Sequence, residues 1–166
     1  MSIGLPGSGK TTALESFAQR YGYRYISNDN VRADFNIRRG EHSIPAVWDE
    51  IRRRIKEGAD NDETIVMDST FVTGPDRREF IKFIRECGVQ KIQGVFFDTP
   101  SELAWERNSK PDMHMQKEIF DSRAKDLESE PPAIQDGFDS LFTLNEFQKM
   151  MLAETAEQRK EFGHFS

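Results

Sequence analysis

The chain is short of several things, and each shortage removes a class of protein. It holds one cysteine, Cys87, among 166 residues. A single thiol cannot close an intramolecular disulfide or build a cysteine metal cluster. Its E-C-G-V context near an expected helix end reads as structural, and a reducing cytosol is the expected setting. His42, His114 and His164 stand apart without ligand spacing, so none is assigned a metal. No apolar run approaches the roughly 20 residues that cross a bilayer, so no membrane partner is expected. A cleavable leader is not expected either, because a glycine-rich loop opens at Gly4.

Basic charge is also scarce. The chain has 23 Lys and Arg against 29 Asp and Glu, a net charge of −6. Proteins that grip long nucleic acid by its backbone usually present a basic face, and this balance argues against one. It leaves room for a site that holds one phosphorylated end. The basic runs at Arg38–Arg39, Arg52–Arg54 and Arg77–Arg78 read first as solvated helix faces or loops. Apolar content of 36% and charged content of 31% suit one α/β domain with exposed amphipathic helices. That domain is expected to cover residues 1–166, with 145–166 as a helical tail.

What is present begins at Gly4. Residues Gly4–Thr11 read G-L-P-G-S-G-K-T, which fits the phosphate-loop pattern G-x-x-x-x-G-K-[ST]. Gly4, Gly7 and Gly9 allow the backbone to approach a ligand closely. The amides of Pro6-to-Thr12 neighbours, through Gly7, Ser8 and Gly9, then converge on phosphate at a helix start, where the dipole favours negative charge. Lys10 is expected to reach the β- and γ-phosphates, and the Thr11 hydroxyl to ligate Mg²⁺. ATP and Mg²⁺ are therefore the expected cofactors, with Gly4, Pro6, Gly7, Ser8, Gly9, Lys10, Thr11 and Thr12 as the nucleotide-binding set.

The rest of the pattern alternates strand and helix, which implies a parallel sheet with helices on both faces. Strands are expected at Met1–Ile3, Tyr23–Ser27, Thr64–Asp68 and Ile92–Phe97, and a short apolar patch lies at Phe138–Leu144. Helices are expected at Gly9–Tyr21, Val31–Phe35, Pro45–Lys56, from Pro75 to before Gly88, from Pro100 to Arg107, and at Met115–Leu127. Asn28-Asp29-Asn30 reads as a turn and Gly58–Asp62 as a polar break. The fold class is α/β, a P-loop kinase fold with four to five parallel strands and a helical lid.

A phosphate loop alone implies only nucleotide binding. The GTPase motif N-K-x-D is absent, and the chain is small for a motor. A small phosphotransferase remains, and it needs an acceptor site. In D-N-V-R, Asp29 and Arg32 lie three apart on one helical face, at the carboxyl edge where α/β sites assemble. A carboxylate there can accept a hydroxyl proton, and the arginine can hold an acceptor phosphate. The plain alternative is a helix cap with a surface ion pair. Asp68 closes an apolar strand and is placed to support Mg²⁺. Otherwise it caps a turn, or with Thr70 shapes the acceptor pocket. W-E-R-N-S-K, Trp105–Lys110, reads as a lid that brings Arg107, and secondarily Lys110 and Arg123, to the donor phosphates. The plain reading there is a charged helix end.

At this point the chain resembles the polynucleotide 5′-kinase family of phage-type and animal end-healing kinases. The resemblance is carried by G-L-P-G-S-G-K-T-T, S-N-D-N-V-R, M-D-S-T-F-V-T-G-P-D-R-R, F-F-D-T-P-S-E-L-A-W-E-R-N-S-K and the later E-P-P-A-I-Q-D-G-F-D-S-L-F-T-L. Asn28 stands where such kinases often carry arginine. The resemblance implies ATP-dependent phosphorylation of a 5′-hydroxyl end of DNA or RNA. It implies that Asp29 is the general base, that Arg32 contacts the acceptor phosphate, and that Arg107 contacts the donor. Two other readings stand beside it: a kinase for a small molecule such as a nucleoside, sugar or antibiotic, and a nucleotide-binding regulatory module without turnover.

Overall fold

The computed structural model describes residues 1–37, 44–109 and 115–162, the side chains of 154–162 excepted. Arg38, Arg39, Lys110 and all three histidines fall outside the described residues. In chain order the elements are β1 (Ser2–Ile3), α1 (Lys10–Tyr21), β2 (Arg24–Ser27), α2 (Asn28–Asp34), α3 (Pro45–Asp60), β3 (Ile65–Asp68) and α4 (Gly74–Glu86). They continue with β4 (Gln93–Phe96), α5 (Ser101–Asn108), α6 (Lys117–Ser129), β5 (Ser140–Thr143) and α7 (Leu144–Phe162).

All strand pairings are parallel, in two ladders, β1-β4-β5 and β2-β3. The ladders meet where β1 lies beside the end of β3. There a side chain replaces backbone pairing: the Ser2 hydroxyl donates to the Ser69 carbonyl at 2.9 Å and accepts from the Ser69 amide at 3.1 Å. The Gly4 amide adds a bond to the Thr70 carbonyl at 3.0 Å. This stitching gives the spatial order 2-3-1-4-5 and explains how a two-residue strand can sit in the middle of a sheet.

Strand residues alternate between two apolar layers, as a period of two demands. Ile3, Ile26 and Met67 face a core filled by Val31, Val47, Ile51, Ile55, Phe80, Ile81, Ala104 and Phe120 from α2 to α6. Val66, Val95 and Phe97 face the opposite way, onto Leu14 and Ala18 of α1 and Phe147 of α7. Helices therefore cover both faces, and the fold is the P-loop kinase fold.

Of the boundaries that differ from the sequence reading, two have clear local reasons. α2 starts at Asn28, not Val31, because the Ser27 hydroxyl caps it by accepting from the Asn30 amide. α3 runs through Gly58 to Asp60 instead of breaking. A Cβ at Gly58 would lie 2.9 Å from Ile65 Cδ1, so glycine there serves close packing of helix on strand. Residues Gly58–Asp62 therefore supply the last helical turn as well as the break.

Candidate active site

The carboxyl ends of the parallel strands converge on one cleft of about 1370 Å³. β1 leads into the glycine loop, β2 into Asp29, β3 into Asp68 and β4 toward α5. This is the edge where open α/β sheets bind ligands.

The loop is held from three sides. Gly7 and Gly9 have φ of 83° and 91°, left-handed values that glycine tolerates. A Cβ at Gly7 would lie 2.1 Å from the Ala104 carbonyl oxygen, so the loop packs directly on α5. The Thr99 hydroxyl donates to the Ser8 carbonyl at 3.1 Å. The Lys10 ammonium donates to the carbonyls of Gly4 at 3.0 Å and Leu5 at 2.7 Å, and to the Ser8 hydroxyl at 3.3 Å. Lys10 thus lies folded across the loop, at the floor of the cleft.

Asp68 is the hub beneath the loop. Its Oδ2 accepts from the Thr11 hydroxyl and from the Tyr25 hydroxyl, each at 2.8 Å, and its Oδ1 accepts from Ser2 at 3.3 Å. Burial, and then the Asp68 charge, push the Tyr25 phenol well above its ordinary value. Tyr25 therefore stays a donor at neutral pH. The sequence had not singled out Ser2 or Tyr25. The signal was positional: both precede functional residues on strands that flank β3. A hydroxyl and a carboxylate 2.8 Å apart, both hard oxygen donors, fit hydrated Mg²⁺, which takes one or two carboxylates plus phosphate oxygens. Among the described residues, no group of three or more His, Cys, Asp or Glu side chains forms a metal cluster.

On the far side of the cleft, Asp29 and Arg32 lie one turn apart, with Arg32 Nη1 3.7 Å from Asp29 Oδ1. The Asp29 side chain keeps 40% of its surface exposed and that of Arg32 keeps 12%, so the carboxylate is the more open of the two. Arg123 of α6 lines the same cleft. Burial, and then the charge of Arg32, lower its pKa, while Asp76 and Asp29 act in the opposite sense. Arg123 therefore shares its electrostatic environment with Asp29 and Arg32. Arg107 is exposed at the end of α5 and also lines the cleft. Thr70 lines it beside Phe71, whose φ of 44° is a left-handed value that a bulky residue rarely holds.

That backbone is held by Arg77, which is fully buried. Its guanidinium donates to the Phe71 carbonyl at 3.2 Å, the Val72 carbonyl at 3.0 Å and the Glu130 carbonyl at 2.8 Å. Its Nε meets Asp136 at 2.7 Å. Arg77 was read as part of a solvated basic run. It is instead the internal clamp of the loop after β3.

The run Arg52–Arg54 is also matched by carboxylates, while Arg38–Arg39 lies outside the described residues. Arg52 sits 3.6 Å from Asp49, Arg53 pairs with Glu50 at 2.8 Å, and Arg54 pairs with Asp34 at 2.6 Å. Among the described residues the cleft lining is balanced: Lys10, Arg32, Arg52, Lys82, Arg107 and Arg123 against Asp29, Asp68, Asp76, Glu79, Glu86 and Asp126. Its outer wall is aromatic, formed by Trp48, Phe80 and Phe83, with the Arg52 guanidinium 5.7 Å from the Phe83 ring centroid. No sequence motif marked this wall, which comes from α3 and α4.

A phosphate loop packed at the carboxyl edge of a 2-3-1-4-5 parallel sheet, facing a carboxylate–arginine pair across one cleft, defines the P-loop kinase class of folds. Residues 1–122 match the AAA_33 family, an AAA domain, and the chain belongs to that family. It is 23% identical over 122 residues to an L-seryl-tRNA(Sec) kinase of Methanococcus maripaludis. The match covers 70% of the chain and 47% of the relative, so the chain spans about half the length of that protein. Among solved structures it resembles a sugar kinase from Janibacter sp. HTCC2649, with a TM-score of 0.61 and 21% identity over 93% of this chain and 90% of that one. It also resembles the Mycobacterium tuberculosis APS kinase CysC in complex with AMPPNP and APS, with a TM-score of 0.54 and 20% identity over 94% and 95% of the two chains. At these identities the likeness is one of fold.

Proposed function

We propose that the chain is an ATP-dependent kinase that phosphorylates a hydroxyl of a compact polar acceptor. One observation carries this reading: Lys10, Thr11 and Asp68 line the same cleft as Asp29 and Arg32. In the proposed reaction the γ-phosphate lies between loop and α2. Asp29 orients the acceptor hydroxyl and accepts its proton as the oxygen attacks phosphorus. The bond from the γ-phosphorus to the β–γ bridging oxygen breaks, and ADP leaves. Lys10 swings from the loop carbonyls to the β- and γ-oxygens, and Arg107 closes over them to stabilise developing charge. Thr11 and Asp68 would hold Mg²⁺, which supplies charge neutralisation along the phosphates. Arg32 and Arg123 hold an anionic or polar group of the acceptor.

The charge balance of the described lining supports this acceptor class. A channel for nucleic acid needs a surplus of cations along the backbone path, and among the described residues six basic groups line the cleft with six acidic ones. The named activities among the similar proteins, on a sugar, on APS and on seryl-tRNA, are consistent with an acceptor reached by a single hydroxyl. A 5′-hydroxyl end of DNA or RNA is the second reading. It is favoured by the Trp48–Phe80–Phe83 wall, on which a base could stack. The cytoplasm is the proposed setting, as the store of ATP; among the described residues no helix is long and apolar enough to cross a membrane.

The test is phosphoryl transfer from labelled Mg-ATP to a panel of sugars, nucleosides, hydroxy acids, seryl-tRNA and 5′-hydroxyl oligonucleotides. Saturable labelling of a small hydroxyl compound, with a KM that varies little with salt, is expected. Labelling confined to oligonucleotide 5′ ends, with a KM rising steeply with salt, would overturn the leading reading in favour of the second. ATP binding with no transfer to any acceptor would point to the regulatory module.

A further inference from the structure

Asn108, the last residue of α5, is 3% exposed, and its amide nitrogen Nδ2 is buried with no hydrogen-bond partner. A buried amide in that state is costly, because it has left water without replacing the bond it lost. The side chain lines the cleft, in direct contact with the phosphate loop: a Cβ at Gly7 would fall 3.2 Å from Asn108 Cβ. Several loop acceptors nearby are already engaged. The carbonyls of Gly4 and Leu5 take bonds from Lys10, and the carbonyl of Ser8 takes one from Thr99. The side chain that carries the unpartnered donor therefore stands beside a loop whose spacing is built for phosphate.

We propose that Asn108 is a nucleotide-binding residue whose Nδ2 donates a hydrogen bond to an oxygen of the bound triphosphate. The inference rests on the nucleotide-binding half of the proposed function and is independent of the acceptor. Glycine at position 7 is part of the same device, since a side chain there would collide with the Ala104 carbonyl and push α5, with Asn108, off the loop. α5 then acts twice on the donor: Asn108 from beneath, at the loop, and Arg107 from the exposed rim.

The chemistry makes an asymmetric prediction. Removing an unsatisfied buried amide in favour of an apolar group of similar shape is close to neutral, or stabilising, for the empty protein. Removing a donor to a charged oxygen weakens nucleotide binding by about tenfold or more. An anion at the same place weakens it further by repulsion. The experiment uses Asn108→Leu and Asn108→Asp in the full chain. It measures ATP and ADP affinity by calorimetry, and the thermal midpoint with and without nucleotide. Asn108→Leu is expected to melt at or above the wild-type temperature without nucleotide, to lose at least about tenfold in ATP affinity, and to show a smaller ATP-induced rise in midpoint. Asn108→Asp is expected to bind ATP more weakly than Asn108→Leu.

Two results would overturn the proposal. One is wild-type ATP affinity in Asn108→Leu. The other is a clear fall in its midpoint without nucleotide, which would mark a structural amide. These readings are separate from the kinase assignment, because the wild type can bind ATP normally while transferring phosphate to nothing.

Discussion

The proposed donor and acceptor sides of the cleft are built by opposite means. On the donor side, polar groups are buried and already bonded to each other: Lys10 to the loop carbonyls, and Thr11, Tyr25 and Ser2 to Asp68. Such a network holds its members in place before nucleotide arrives, Lys10 being the one that exchanges partners in the proposed reaction. On the acceptor side, Asp29 is open to water and sits 3.7 Å from Arg32, and the wall is assembled from α2, α3, α4 and α6. The donor side meets one invariant chemistry, a phosphate chain. The acceptor side must suit one molecule among many, so it is wide, mixed in charge and partly aromatic. On the proposed function, the wall common to the fold holds the phosphate chain, and the more variable wall holds the acceptor together with its base, Asp29.

The largest expected effect breaks the acceptor side from behind. Arg77→Met removes the clamp of the loop after β3 and leaves the 5%-exposed Asp136 with a reduced cation shell. Removing one partner of a buried pair costs about 3–5 kcal/mol, so the urea midpoint should fall steeply. A loss under about 1 kcal/mol would show that Arg78, 3.1 Å from Asp136, suffices. Next, Lys10→Met strikes the donor side. Turnover should drop by about 10²–10³-fold, while the fold, read by thermal melting, survives. If turnover held, the loop would not be the donor site.

Smaller effects sharpen the contrast. Trp48→Ala should raise acceptor KM by roughly 2–10-fold, the scale of one aromatic contact, and leave the KM for ATP unchanged. An equal change in both would mean that the wall serves both sides. Acid gives the smallest effect. Hydrogen bonds from Arg53 and Arg54 lower the Glu50 carboxyl to about 2. A depressed carboxyl stabilises the fold above its unfolded value and loses that contribution as pH falls through the range toward 2. Glu50→Gln should therefore lie closer to wild type in urea midpoint near pH 3 than near pH 6. A gap that widened in acid would contradict the sign.

Legibility in the sequence follows the same division. The loop at Gly4–Thr11 is written in eight consecutive residues, because one turn into a helix wraps one phosphate chain. Asp68 was legible as the end of an apolar strand, and Asp29 with Arg32 as a helical pair. Four strands with helices on both faces followed from the alternation of apolar runs, and the fifth, Ser140–Thr143, was marked only by a short apolar patch. What stayed hidden depends on long-range packing. Ser2 reaches 67 positions along the chain to replace a missing ladder bond at Ser69. Arg77 looked like surface charge until the segment at 130–136 folded over it. Asn108 lies inside the W-E-R-N-S-K segment but was not singled out there, since its unpaired amide exists only where α5 meets Gly7. Among the described basic runs only Arg77 departs from the reading as a solvated face; Arg52–Arg54 do lie on an outward helix face, and what stayed hidden there was the pairing with Asp34 and Glu50.

The central claim is that one cleft joins a donor wall to an acceptor wall, with Asp29 as the base between them. The most direct measurement compares wild type and Asp29→Asn for ATP affinity by calorimetry and for transfer rate at saturating substrates. The account predicts unchanged ATP affinity and a rate lower by about 10²-fold or more, the scale of a lost general base. Undiminished transfer in Asp29→Asn, or a loss of ATP affinity that accounts for the whole defect, would contradict it.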